Sequence, residues 1–308
     1  MVSKPLPSVT VGIPFYNAEA TLLDSVRSVL AQTHQNWELI LLDDGSTDGS
    51  LEVARSIDDP RVRVYSDGQN KRLAARLNEM TRLARYKYLA RMDADDLMSP
   101  TRLERQLKLL VTRPDIDLVA TGVCSLSDDY QPVGIRPVAP GHAVTPRGLL
   151  SGRSGIVHAS VLGRREWFLR NPYKESLAKS QDTNLWVQAY SRNDLRVAFV
   201  PDPLYYYRED GNVSTPKLLL AYRIGRHTIL TDARDGFSMW ERVRAIAVSC
   251  GKSMAVVALS SLGKLDMIRG RRNKVIPSGV VNDALVSEIE SIRSLDVPRS
   301  AGRAGLSG

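Results

Sequence analysis

Through the first half of the chain, short apolar runs alternate with segments whose apolar residues recur at helical spacing. Residues 9–14 (VTVGIP) read as a buried strand. Residues 18–33 then place Leu22, Val26, Val29 and Leu30 on one face of a helix. Residues 37–42 (WELILL) form a second apolar run, closed by the turn-rich DDGSTDGS. The pattern repeats with a helix over 51–57, a strand over 61–65, a helix over 71–85, and KYLARM running into DADD. Ser99-Pro100 opens another helix, with proline at its first turn, and residues 116–123 (IDLVATGV) form a further strand. Strands alternating with helices predict an α/β fold with a mostly parallel sheet. Residues 124–216 are less regular, with a Pro/Gly-rich stretch over 131–146, a helical QDTNLWVQAYS and a strand LRVAFV. Beyond Pro216 the pattern is mostly helical, and no internal repeat is present.

Composition narrows this little. A chain of 308 residues, 43% hydrophobic and 25% charged, suits one large α/β domain or two unequal lobes. Cys124 and Cys250 lack metal-ligand spacing and read as small buried hydrophobes in a reducing compartment. The opening MVSKPLPSVTVGIPFYN lacks the apolar stretch of a signal peptide, so a cytoplasmic location is expected. Charge is more informative. Residues 217–274 hold twelve Lys/Arg against four Asp/Glu, an excess of eight that equals the net charge of the whole chain, +8. Such a segment suits anionic lipid headgroups or another acidic partner. Nucleic acid is not expected, because neither zinc-finger spacing nor an RNP-like aromatic motif accompanies the charge.

Three polar clusters follow strands directly: PFYN, DDGSTD and DADD. Each alone has a bland reading as a turn, a helix cap or a solvated loop. Together they fall at three strand ends, where an open parallel sheet binds its ligands. Asp93 and Asp95, at i and i+2, suit a hard cation, Mg2+ or Mn2+, bound through one or two carboxylates and completed by phosphate oxygens. Neither GxxxxGK[ST] nor GxGxxG occurs, which argues against a P-loop NTPase and a standard NAD enzyme.

The run VTVGIPFYNAEATLLDSVRSVLAQTHQNWELILLDDGSTDGS, followed by NKRLAARLNEMTRLARYKYLARMDADD, resembles the family 2 glycosyltransferases of GT-A fold over roughly residues 8–210. The resemblance implies an inverting enzyme that moves a sugar from a nucleotide diphosphate, typically UDP, to a hydroxyl of a glycan or lipid-linked acceptor. It implies that Pro14, Tyr16 and Asn17 line the nucleotide pocket and that Asp44 hydrogen-bonds the base. Asp93 would contact the ribose or sugar and stand beside Asp95 in the metal set, with Asp95 the principal ligand. Lys71 and Arg208 would lie near the diphosphate, and Asp182 in SQDTNLW matches the catalytic base. His158 aligns with a pocket-facing position, with a buried, satisfied histidine as the alternative.

Several positions depart from the family's pattern. Gln181 replaces its Glu, Asn184 stands where a second acid is usual, Gln188 where Arg is usual, and Lys71-Arg72 where a glycine pair is common. There is no QxxRW, so a processive synthase is not expected. A general base opposite the departing nucleotide is worth roughly 10²–10⁴-fold in rate, and the 87 residues between Asp95 and Asp182 allow the two to face each other across a sugar. Two alternatives share the crevice: a non-catalytic protein of the same fold, and a nucleotidyltransferase making sugar nucleotides.

The expected organisation is a transferase domain over 1–215, with a donor half (1–115) and an acceptor half (116–215). A basic helical extension (216–275) and a flexible tail (276–308) follow. In the extension Trp240, Val243, Ala247, Cys250, Met254 and Val257 form a stripe interrupted by Arg242, Arg244 and Lys252. Core packing against the catalytic lobe is the first reading of this stripe. Peripheral attachment to the inner face of an anionic membrane through 217–274 is the second, and a membrane-spanning helix over 245–263 is the third.

Overall fold

The computed structural model describes residues 5–209, 214–262 and 280–300. The four leading apolar runs are strands β1 (Val9–Phe15), β2 (Trp37–Asp43), β3 (Val62–Tyr65) and β4 (Tyr88–Arg91), parallel in the order β3-β2-β1-β4. Every residue of β1 and β2 is buried, as a parallel strand covered on both faces requires. The crossovers are α1 (Leu22–Leu30), α2 (Ser50–Arg55) and α3 (Arg72–Leu83). Leu22, Val26 and Val29 of α1 are wholly buried, each worth roughly 1.5–3 kcal/mol. α1 starts later than the periodicity predicts because the preceding amides are used elsewhere. Ala18 N–H donates to Ser50 Oγ (2.7 Å) and Glu19 N–H to Asp48 (3.2 Å).

The second half completes the same sheet. β5 (Leu97–Met98) leads to α4 (Arg102–Thr112) and β6 (Leu118–Leu126). Then come β7 (Pro132–Arg136), α5 (Pro146–Ser151), β8 (Leu162–Arg164), α6 (Arg165–Arg170), α7 (Gln181–Ser191) and β9 (Val197–Arg208). The sheet continues β4-β8-β6-β9-β5, with β7 on β6; β8 runs antiparallel to β4, and β6 and β9 are parallel. The Pro/Gly-rich stretch over 131–146 therefore holds an edge strand, where proline at a strand's first residue is tolerated.

Three expectations for the C-terminal region are corrected. The extension forms α8 (Thr215–Thr231) and α9 (Met239–Ser261), but the apolar stripe of α9 is not core: Val256 is its one buried residue. Cys250, expected to be buried, is exposed, while Cys124 is enclosed. The tail expected to be flexible from residue 276 contains helix α10 (Val280–Arg293), with Ile289 and Ile292 buried against Leu97, Leu126 and Tyr206. Arg293 pairs with Asp24 of α1 (3.1 Å) and stacks on Tyr130 (4.0 Å). Residues 298–300 continue to α2, where Pro298 O accepts from Asp58 N–H and Ser300 N–H donates to Ser56 O. The segment is low in aromatics, and this hid how few well-placed isoleucines are enough to dock a helix. Residues 276–279 and 301–308 lie outside the described residues.

Candidate active site

The three polar clusters meet at the carboxyl ends of the parallel strands, and most of their residues build the crevice. In DDGSTD, Asp43 closes the turn by accepting from Ser46 N–H (2.9 Å) and Ser66 Oγ (2.7 Å). These bonds outweigh its burial and hold its carboxyl below the usual range. Asp48 accepts from Ser50 N–H at the start of α2. Gly45 has φ +74, and a Cβ there would lie 2.8 Å from the Gln69 carbonyl carbon, so the motif needs glycine for the loop to meet residues 69–70. Asn17 is also part of this framework. Its side chain accepts from Thr47 N–H (2.8 Å) and donates to Thr47 Oγ1 (3.2 Å), stitching the β1 loop to the β2 loop. Pro14 and Phe15 are enclosed in β1, while Tyr16 is 49% exposed and Asn17 is exposed beside it.

Asp44 faces the start of α3. It accepts from Lys71 N–H (2.7 Å), Arg72 N–H (3.1 Å) and Arg76 Nε (2.9 Å). Arg76 is wholly buried and also pairs with Asp67 (2.6 Å) and Glu79 (2.8 Å), which hold it charged despite its desolvation. Lys71 is exposed, with Nζ paired to Asp67. Arg72 has φ +69, the left-handed conformation that favours glycine. Left-handed backbone costs a side-chain-bearing residue about 1–2 kcal/mol, part of which glycine's chain entropy offsets. Arg72→Gly is therefore expected to stabilise the protein by up to about 1 kcal/mol, read as a rise in denaturation midpoint with unchanged m-value.

In DADD the four positions divide. Asp96 is turned inward, accepting from Tyr205 Oη (2.6 Å) and Arg208 N–H (2.8 Å). Burial, then the charges of Asp93 and Asp95, push its carboxyl well above the usual range. Tyr205 Oη also accepts from Asp93 N–H (3.1 Å), so the end of β9 clamps the acidic loop. Asp93 and Asp95 are half-buried at the open side. The same loop pushes the Tyr207 hydroxyl up to about 12, through burial and the charges of Asp96, Asp93 and Asp95. A crowded negative field of hard oxygens fits a divalent cation. Among the described residues no three His, Cys, Asp or Glu side chains form a ligand cluster, so such an ion needs donors from substrate and water.

Asp93 is also held by a residue that the sequence reading passed over. Arg91, buried in β4, donates to Asp93 Oδ1 (2.5 Å). Burial would lower its pKa, but the charges of Asp93, Tyr173, Tyr205 and Asp182 raise it. A lone arginine inside an apolar strand, two residues before an acidic motif, is the signal that could have marked it. Arg208 carries its guanidinium 5.4 Å over the Tyr130 ring and 3.6 Å from Asp128.

Asp182 opens α7 after Ser180, whose φ of +57 turns the chain sharply into the helix. The approach to that turn is fixed to α3: Tyr173 N–H donates to Asn78 Oδ1 (2.8 Å), and Asn78 Nδ2 to Tyr173 O (2.9 Å). His158 shares a hydrogen bond with Tyr173 Oη (2.7 Å) and packs edge-on to Trp186, and burial and Arg91's charge push it well below its usual pKa. It is a satisfied histidine beneath the site. Asp182 lines a small cavity of about 70 Å³ with Leu149, Gly152, Ile156, Thr183 and Trp186. The departures at 184 and 188 lie away from it. Asn184 donates to Asp232 at the C-terminal cap of α8 (2.8 Å), and Gln188 donates to Asn184 (3.0 Å) and Asp232 (3.3 Å), so both serve helix packing.

The family described as glycosyl transferase family 2 matches residues 10–170, half of the chain. EpsE of Bacillus subtilis (strain 168), assigned by name to the glycosyltransferases, is 34% identical over 218 residues, covering 69% of this chain and 76% of its own. An Escherichia coli relative, the UDP-Glc:alpha-D-GlcNAc-diphosphoundecaprenol beta-1,3-glucosyltransferase WfgD, is 29% identical over 187 residues, covering 61% of this chain and 71% of its own. Among solved structures, the mannosyltransferase PcManGT from Pyrobaculum calidifontis, in complex with GDP-Man and Mn2+, matches with a TM-score of 0.57 and 15% identity. That match covers 94% of this chain and 89% of PcManGT. The fold is that of a GT-A glycosyltransferase. The chain belongs to glycosyl transferase family 2.

Proposed function

We propose that this glycosyltransferase inverts the anomeric centre of a UDP-sugar, with Asp182 as general base and a divalent ion at Asp95 and Asp93. The observation that carries the reading is the acidic loop after β4, where buried Arg91 fixes Asp93 (2.5 Å) and Asp95 stands half-buried beside it, with Asp182 supplied separately from the start of α7. Tyr16 and Asp44 bound the nucleotide side, where the Asp44 carboxylate is an acceptor for a base N–H, and Lys71 and Arg208 supply positive charge toward the diphosphate. Uracil is favoured by WfgD, whose name specifies UDP-Glc; PcManGT, with GDP-Man, makes GDP the competing donor to test. In the step, an acceptor hydroxyl oxygen attacks the anomeric carbon as the carbon–phosphate oxygen bond breaks. The hydroxyl proton passes to the Asp182 carboxylate, and the nucleoside diphosphate leaves on the opposite face. A bound Mg2+ or Mn2+ would offset the charge developing on that diphosphate. The acceptor is a hydroxyl on a glycan or lipid-linked glycan.

The test is nucleoside diphosphate release from UDP-, GDP- and dTDP-sugars, with and without EDTA. UDP-sugars are expected to turn over fastest, EDTA to stop turnover, and Mn2+ or Mg2+ to restore it. Nucleotide binding without release from any donor would replace this reading with a binding protein of the same fold.

A further inference from the structure

The least expected surface of the molecule is α9. Met239, Trp240 and Met254 are 70–73% exposed, and Val243, Val257 and Leu262 are each at least half exposed. Across α9 the sequence holds three basic residues, Arg242, Arg244 and Lys252, against one acidic residue, Glu241 in the first turn. An apolar face with this charge bias is complementary to a bilayer carrying anionic headgroups. The helix has one of the compositions that can cross a membrane, but its attachments argue for lying in the plane. Arg226 of α8 donates to Ser253 Oγ (2.9 Å) and Ser249 Oγ (3.2 Å), and Thr215 Oγ1 to Ser260 Oγ (2.8 Å). α9 is thus fastened along its length to α8, and crossing would drag Lys217, Arg223 and Arg226 into hydrocarbon. α9 also packs beside α5, whose Leu149 lines the cavity that holds Asp182.

We propose that α9 docks in the surface of an anionic bilayer and, through α5, holds the Asp182 cavity at that surface, so that the acceptor is one anchored in the same membrane. The second half of this inference rests on the acceptor reading of the Asp182 cavity. The first does not.

The experiment uses the full chain with phosphatidylglycerol-containing vesicles and with pure phosphatidylcholine vesicles, each at low and high salt. Sedimentation with the anionic vesicles at low salt is expected, weakening at high salt, because charges beyond a Debye length of about 8 Å are screened at physiological ionic strength. The double variant Trp240→Glu/Met254→Glu is expected to lose at least ten-fold in vesicle affinity while keeping its melting temperature and its nucleotide release in solution. Orientation is read with a polarity-sensitive dye on Cys250, which is exposed on the stripe while Cys124 is enclosed. The dye is also placed at Arg153→Cys beside the cavity and at Glu52→Cys on the donor half, each with Cys250→Ser. Quenching by brominated lipid should fall in the order 250, 153, 52. Recovery in the supernatant under all four conditions overturns docking, as does self-association that the double variant abolishes, which would assign the face to a second copy. Resistance to alkaline extraction would make α9 a spanning helix and also overturn it. Equal quenching at 153 and 52 overturns the membrane-anchored acceptor alone. Loss of nucleotide release in solution by the parent protein would instead count against the transferase reading.

Discussion

Asp182→Asn is expected to bind nucleotide as the parent does and to transfer sugar roughly 10²–10⁴-fold more slowly, the usual worth of a positioned general base. The amide matches the carboxylate in shape, so the Ser180 turn, the Asn78–Tyr173 clamp and the cavity against Trp186 remain. What is lost is the capacity to accept a proton. Because the proposed role lies in the chemical step, kcat should fall while the KM for donor stays within a few-fold. The converse result, donor affinity lost at constant kcat, would make Asp182 a binding residue. Arg91 sharpens the test, because removing one negative charge that acts on it leaves its ion pair with Asp93 in place. Mn2+ affinity in the presence of UDP should therefore survive in Asp182→Asn.

The second large effect is expected at Asp95. Stabilisation of a developing diphosphate charge by a divalent ion is worth several kcal/mol, so its loss corresponds to a rate decrease on the order of 10³-fold. Asp95→Asn should show that decrease together with loss of Mn2+ binding by calorimetry and an unaltered melting temperature. Full activity that still depends on metal would remove Asp95 from the ligand set. Asp96→Ala provides the contrast. It deprives Tyr205 Oη and Arg208 N–H of their buried acceptor, at roughly 1–3 kcal/mol for each unpaired group, so it should lower the melting temperature even without ligand.

These neighbours show what could be read from the chain and what could not. Parallel strands buried on both faces write themselves as unbroken apolar runs, so β1, β2 and β4 were legible, and with them the strand-end positions of PFYN, DDGSTD and DADD. Within a cluster, legibility stopped at side-chain direction. Asp95 and Asp96 are adjacent and chemically identical, and donors 109 and 112 residues beyond Asp96, the Tyr205 hydroxyl and the Arg208 N–H, turn the second one inward. Asn184 and Gln188 looked like losses from a catalytic pattern because their partner, Asp232, caps a helix that no local pattern connects to α7. The stripe on α9 had the spacing of a core helix, and spacing carries no record of whether anything covers it. α10 was missed for the opposite reason. Its docking depends on a receiving surface shared by β5, β6 and β9, which the segment's own composition does not describe.

The return of α10 to α1 also constrains when the protein can finish folding during its synthesis. Arg293 and Asp24 are 269 residues apart in the chain, yet they share one ion pair on the flank of the first crossover helix. At ribosomal rates of roughly 5–20 residues per second, α1 is exposed for tens of seconds before its partner is made. Once made, Leu97, Leu126 and Tyr206 likewise wait for the isoleucines that cover them. The half of the molecule that emerges first is thus among the last to be closed, and nascent chains have the most need of chaperone cover along the α1 flank, not at the crevice.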